Sequence, residues 1–187
     1  IRDKATLLEF RRVLCRSDCH IGSQLTETGP FVEALDKVLA LIDALAAEGI
    51  AIEHLDLGGG LGIRYRDEVP PSIGEYLATL FRRLGDRKLG LMFEPGRVLV
   101  GNAGLLLTKI EYLKPGEAKN FAIVDAAMND LMRPALYDAY HDFAAVIPNG
   151  RRMTANIAGP VCETGDTFAM GREIDEVAAG DLAIFRT

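Results

Sequence analysis

The sequence predicts an α/β fold, a stretch of parallel (β/α) barrel running into a mainly antiparallel β domain, and three observations point there. Polar and glycine-rich clusters at His20-Ile21-Gly22-Ser23-Gln24, Gly58-Gly59-Gly60-Leu61-Gly62 and Glu94-Pro95-Gly96-Arg97 each close an apolar run that reads as a buried strand. They recur at the interval of one strand–helix unit, and in a parallel barrel such strand ends converge on one mouth, where ligands bind. After about Gly104 the pattern changes to strand-like runs separated by Pro and Gly turns, with little helix between them.

In chain order, 6–12 is a short apolar-periodic helix start, and a strand end follows at Cys19 to Ile21. Pro30 then sits in a first helical turn, Phe31, Leu35, Val38, Leu39, Ile42 and Leu45 recur at helical spacing, and Gly49 stands just past the end. Residues 50–57 read as a strand. Ser72 with Glu75 three residues on forms a capping box for a helix whose buried stripe is Tyr76, Leu77, Leu80, Phe81 and Leu84, ending at Gly85. Residues 89–93 are the next strand. Strands apolar on both faces and alternating with helices argue for a parallel sheet covered by helices. In the second half, 105–112, 121–125, 143–147, 153–158 and 182–185 are strand candidates, with one helical interlude over 132–142. The domain boundary is expected near 101–104, giving 1–103 and 104–187.

Composition narrows the function classes. Of 187 residues 49% are apolar, enough for a sizeable core, and the net charge is −6 with Lys and Arg scattered, which argues against a nucleic-acid partner. No apolar run reaches the roughly 18 residues that span a bilayer. Three cysteines without paired metal-ligand spacing suggest neither a disulfide framework nor a metal site. A cytoplasmic protein with no membrane or metal role is the expectation.

Each candidate site residue has a plain alternative. The run Gly58, Gly59, Gly60 exposes backbone amides as a phosphate cradle does, but Ile63 stands where a dinucleotide fingerprint needs glycine, and glycine-rich turns are often only structural. Glu94 is held at a strand end by Pro-Gly, either to face a cationic ligand or to pair with Arg97. His20 is a packing residue or, with Gly22 and Ser23 beside it, part of an anion site. Arg133 and Tyr137 are four apart, hence on one helix face, with Tyr140 and His141 a turn on; they clamp a carboxylate or belong to a solvated helix. In Gly159-Pro160-Val161-Cys162-Glu163-Thr164-Gly165-Asp166 a thiol beside an acid suits proton handling, or the segment is a plain loop.

Together the strand-end clusters, the string from Val124 to His141 and Gly-Pro-Val-Cys-Glu-Thr-Gly-Asp occur in an order that resembles the fold-type III pyridoxal-phosphate decarboxylases, and among them the diaminopimelate decarboxylase family. The resemblance runs over about residues 19–187; the string around Arg133 and the Cys-Glu pair set it apart from ornithine and arginine decarboxylases. It implies the barrel and β domain of that class and the cofactor pyridoxal 5'-phosphate. It further implies decarboxylation of meso-diaminopimelate to L-lysine in a homodimer with shared active sites. The alternatives are a decarboxylase of another basic amino acid and a non-catalytic homologue that binds partners.

By the same resemblance Glu94 faces the ring nitrogen and His20 stacks on the ring, Ser23 with Gly58, Gly59 and Gly60 cradles the phosphate, and Gly96 and Arg97 also belong to the cofactor site. Arg97, Arg133 and Tyr137 then take the distal carboxylate of the amino-acid substrate, Glu163 its distal ammonium, and Cys162, with His20, acts in catalysis. The family's cofactor lysine lies in a run like Ala-Val-Lys-Ala-Asn, and none of Lys4, Lys37, Lys88, Lys109, Lys114 or Lys119 has that context. A whole barrel takes about 250 residues, so strand–helix units are expected to be missing between about 14 and 17, and the family's C-terminal tyrosine is expected beyond Thr187.

Overall fold

The structure, a computed structural model, describes residues 16–187. The helix expected over 6–12 lies outside them. The chain divides into two units: one runs to Ile63 and resumes over Glu68–Gly101, and the other takes Arg64–Asp67 and Asn102–Thr187.

The first unit contains β1 (Arg16–Asp18), α1 (Gly29–Ala47), β2 (His54–Asp56), α2 (Ile73–Leu84), β3 (Gly90–Met92) and the short α3 (Arg97–Val100). Its three strands lie in the order β1-β2-β3, all parallel, with Leu55 opposite Ser17 on one side and Leu91 on the other. The strands are shorter than the apolar runs suggest, because only the residues with a neighbour on the sheet keep the ladder. Pro30 opens α1, whose 3.6-residue repeat buries Phe31, Leu35, Leu39 and Ile42, and Gly49 turns the chain away at φ +82°. The capping box of α2 is present: Ser72 Oγ accepts from the Glu75 amide at 3.2 Å, and the Ser72 amide donates to Glu75 Oε2 at 2.8 Å. These helices bury Leu35 and Leu80 against Leu55, with the Phe31 and Tyr76 rings edge to face at 4.8 Å.

The second unit is a six-stranded sheet built from β4 (Leu106–Lys114), β5 (Phe121–Val124), β6 (Asp142–Ala145), β7 (Arg152–Ala158), β8 (Thr167–Asp175) and β9 (Leu182–Arg186), in the order β6-β9-β4-β5-β7-β8. Every pairing is antiparallel except β5 with β7. The two outer members approach each other, since the Ala145 amide of β6 donates to Asp175 Oδ2 of β8 at 3.2 Å, and the sheet nearly closes into a barrel. Ile110, Val124, Ile157 and Ile174 fill it, together with the rings of Phe143 and Phe168, edge-on and tilted against Phe185.

Two expectations need correction here. The helical interlude over 132–142 is only α4 (Arg133–Tyr137), because Asp138 takes the left-handed conformation at φ 49°, ψ 35° and ends it; Tyr140 and His141 therefore lie beyond the helix, leading into β6. Strand β8 was not anticipated. Its alternation is broken by Gly171 at φ +55° and by a register shift against β7, so no clean two-residue period marks it. Among the described residues no helix is long and apolar enough to cross a membrane.

Candidate active site

In the first unit the loops after β1, β2 and β3 meet through their backbones. The Glu94 amide donates to the Gly58 carbonyl at 2.7 Å, and the Gly58 amide to Oδ1 of the buried Asp56 at 2.9 Å. The glycines are imposed by this crowding. A Cβ at position 59 would stand 2.2 Å from the Glu94 carbonyl oxygen, and one at position 60 would stand 2.3 Å from that of Gly22, with φ +101° as a second obstacle. Gln24 fastens the far side, donating to the Ile63 carbonyl at 2.6 Å and accepting its amide at 3.1 Å.

This packing brings His20, Ser23, the glycine run, Glu94 and Arg97 together. His20 Nδ1 accepts from the Gly59 amide at 3.4 Å, and Arg97 Nη2 donates to Ser23 Oγ at 2.9 Å. Gly96 stands at the N-cap of α3, just ahead of Arg97. Not every amide of the run is open to an anion, since those of Gly58 and Gly59 already have Asp56 and His20; the hydroxyl of Ser23 and the guanidinium of Arg97 add the donors that a phosphate needs. The Glu94 side chain is exposed, and among the described residues its carboxylate makes no ion pair, with Arg97 or any other cation. Beside the site the Cys19 thiol is pushed up by burial and then by the Asp18 carboxylate, which keeps it protonated at neutral pH.

In the second unit three successive amides after β5 are each satisfied by a side chain. Ala126 donates to Thr108 Oγ1 at 3.1 Å, Ala127 to Asp130 Oδ2 at 2.9 Å, and Met128 to Asp166 Oδ1 at 2.6 Å. The other oxygen of Asp166, a residue only 2% exposed, accepts the Val161 amide at 2.7 Å. One buried carboxylate thus ties the loop that carries Cys162 and Glu163 to the segment that leads into α4. Gly159 leaves room for it, as a Cβ there would lie 2.3 Å from Asp166 Oδ2. Gly165 faces Ala135 of α4, with 3.9 Å between a Cβ built on it and the Ala135 Cβ, so Arg133 and Tyr137 share a neighbourhood with Glu163. Cys162 and Glu163 are exposed, and Tyr137 is 73% exposed.

The sequence assigns no partner to Asp56, nor to Gln24 and Asp166 within their clusters. A lone Asp or Gln beside glycines carries no mark of which amide it will meet across the fold. Among the described residues no group of three or more His, Cys, Asp and Glu side chains is placed to hold a metal ion.

Residues 13–187 match the family model described as pyridoxal-dependent decarboxylase, C-terminal sheet domain. The chain belongs to the pyridoxal-dependent decarboxylase family. Within that family it is 60% identical, over 171 residues, to diaminopimelate decarboxylase of Neisseria meningitidis serogroup A, covering 91% of this chain and 42% of that protein. The corresponding Pseudomonas aeruginosa protein is 57% identical, with 91% and 41% covered. Diaminopimelate decarboxylase of Helicobacter pylori, solved with L-lysine, superposes with a TM-score of 0.86 at 36% identity, covering 91% of this chain and 43% of that one. The chain therefore spans about two fifths of the length of these decarboxylases.

The donor set of the first unit fits the family's cofactor. Pyridoxal phosphate presents a phosphate, a flat ring and a ring nitrogen that carries a proton. Here a hydroxyl, a guanidinium and backbone amides stand beside an imidazole and an exposed carboxylate.

Proposed function

We propose that this sequence is part of a decarboxylase that uses pyridoxal 5'-phosphate to convert meso-diaminopimelate to L-lysine, and that it works as a homodimer with shared active sites. The observation that carries the substrate assignment is the second unit's charge pattern. Arg133 stands at the head of α4 with no carboxylate partner among the described residues, and α4 is laced to the loop bearing Glu163. A distal carbon bearing both a carboxylate and an ammonium is complementary to such a pair. The names of relatives at 57 to 60% identity support the same substrate.

When bound, the cofactor supplies a protonated pyridine ring that draws in the electron pair left at Cα as carbon dioxide departs. Glu94 would keep the proton on the ring nitrogen by accepting its hydrogen bond. His20 would cover the ring, and Ser23, Arg97, Gly96 and the Gly58–Gly60 run would hold the phosphate, the run through the Gly60 amide and the close approach its glycines allow. Arg133, with Tyr137 and Arg97, binds the distal carboxylate, and Glu163 takes the distal ammonium. Cys162 handles the proton returned at Cα, offered to the site of the partner subunit. In domain terms, 1–103 belongs to the cofactor-binding barrel and 104–187 to the β domain that carries the substrate helix.

Arg133→Ala in the full-length protein tests this. Leaving a substrate carboxylate without its guanidinium in a partly dry pocket costs about 3 to 5 kcal/mol. Hence kcat/KM for diaminopimelate should fall by roughly two to three orders of magnitude while the cofactor's absorbance is unchanged. Intact turnover, or release of the cofactor, would remove Arg133 from the substrate pocket.

A further inference from the structure

A substrate-binding arginine needs a holder, because its free side chain carries about 2 kcal/mol of rotamer entropy. Arg133 has one. Its guanidinium carbon lies 4.6 Å from the centre of the Tyr65 ring, within cation–π range, and its Nη1 lies 2.9 Å from His141 Nε2. Tyr65 in turn stands edge-on to the His141 ring, with centroids 5.4 Å apart and planes at 83°, so the three side chains close a triangle. Tyr65 and His141 are far apart in sequence and neither is on α4. His141 is only 8% exposed.

A guanidinium only donates hydrogen bonds, so the Nε2 that faces it must present a lone pair, and the ring's proton must sit on Nδ1. An imidazolium would set N–H against N–H and place a second positive charge beside the first. The surroundings oppose that charge. Arg133 is on α4, and Arg172 of β8 donates to the His141 carbonyl. The neighbouring Tyr140 ring lies between Arg172 at 4.3 Å and Arg66 at 5.1 Å. The carboxylate that follows it in the chain, Asp142, is engaged by Arg186 at 2.7 Å. Among the described residues Arg133 is thus braced by an aromatic face and an accepting ring nitrogen, and its charge is left for an anion.

We propose that Tyr65 and the uncharged His141 are positioning residues that fix the guanidinium of Arg133 for the distal carboxylate, so that protonating His141 weakens binding of this substrate. The proposal rests on the reading of Arg133 as the carboxylate contact, and the experiment separates the two. In the full-length holoenzyme, Arg133→Ala, His141→Leu, His141→Gln and Tyr65→Leu are compared for diaminopimelate turnover across pH and for inhibition by cadaverine, a five-carbon diamine that lacks the distal carboxylate.

His141→Leu and Tyr65→Leu should raise KM for diaminopimelate roughly tenfold, the size of one lost hydrogen bond or cation–π contact, with kcat and cadaverine inhibition little changed. His141→Gln, whose carbonyl replaces the Nε2 acceptor, should restore most of the loss and should lack the rise in KM expected of the natural protein as the solution is acidified. Nitrogen NMR of the holoprotein should report His141 as the neutral Nδ1–H tautomer. If Arg133→Ala raises KM and the His141 and Tyr65 variants do not, the positioning role is overturned and the Arg133 reading stands. If Arg133→Ala has no effect, that reading falls and this one with it. Should His141→Leu fail to fold, the His141→Gln pH profile and the tautomer decide: a doubly protonated ring at neutral pH overturns the proposal.

Discussion

The strand-end loops of the first unit are shaped by what their residues lack, whereas those of the second are held by side chains buried among backbone amides. Around Gly58–Gly60 the neighbouring carbonyls of Cys19, Gly22 and Glu94 come so close that a methyl group has no place. After β5 the amides of Ala126, Ala127 and Met128 are taken by Thr108, Asp130 and Asp166, and Val161 shares Asp166. Two ways of making a rigid loop follow from the same requirement, that every buried amide be satisfied and every gap filled. Where the partner is backbone, close approach selects glycine. Where the partner is a side chain, the loop is free to carry bulkier residues such as Cys162, Glu163 and Arg133.

The contrast is put at risk most strongly at Gly60. Gly60→Ala must relax a φ of +101° and move the Gly22 carbonyl from its 2.3 Å approach. Backbone strain of about 1 to 3 kcal/mol and overpacking of a similar size add to about 2 to 6 kcal/mol. Denaturant unfolding of the full-length protein should show that loss along with weaker retention of pyridoxal phosphate. A midpoint within experimental scatter of the natural protein would mean that the close approach is not obligatory.

Asp166→Ala is the counterpart in the second unit. It strands two amides at about 1 to 3 kcal/mol each, partly relieved by water, so a loss of about 2 to 4 kcal/mol is expected. Hydrogen exchange should accelerate at Met128 and Val161 before it does in the core strands. Asp166→Asn should rescue little, because one amide would then meet an NH2 group. Unchanged exchange at both positions would show that the two segments are held by something other than this carboxylate.

The smallest effect belongs to Asp125, at the exposed start of the same segment. The Lys109 amide, at 2.8 Å, and then the Thr108 hydroxyl, at 2.7 Å, hold its carboxyl below the usual carboxylate range. With the folded value below the unfolded one, the contribution is present above the unfolded value, about pH 4, and is lost as pH falls through the folded value. The difference in unfolding midpoint between the natural protein and Asp125→Asn should therefore shrink below about pH 4 and be constant at neutral pH. A difference that grew on acidification would contradict the sign of this shift.

Much of the first unit is legible residue by residue. Pro30 and the repeat at Phe31, Leu35, Leu39 and Ile42 mark α1, and Ser72 with Glu75 marks the start of α2. The strand-end clusters His20–Gln24, Gly58–Gly62 and Glu94–Arg97 are visible as clusters, and the structure gathers the first two and Arg97 through direct hydrogen bonds. Strand β8 and the early end of α4 are not legible in the same way. Gly171 and Asp138 adopt left-handed backbone only because the surrounding sheet and loop require it.

What the residue order settles alone is what depends on near neighbours along the chain: helix starts and stops, strand periodicity, and the glycines that announce a tight strand-end turn. Partners drawn from far along the chain were decided by the folded arrangement. Asp166 finds Met128 and Val161, Gln24 finds Ile63, and Tyr65 with His141 closes on Arg133. The reason is physical. A helix cap or an amphipathic stripe is satisfied within a few residues, whereas a buried carboxylate or imidazole acquires its role from whichever donors the sheet brings within about 3 Å of it.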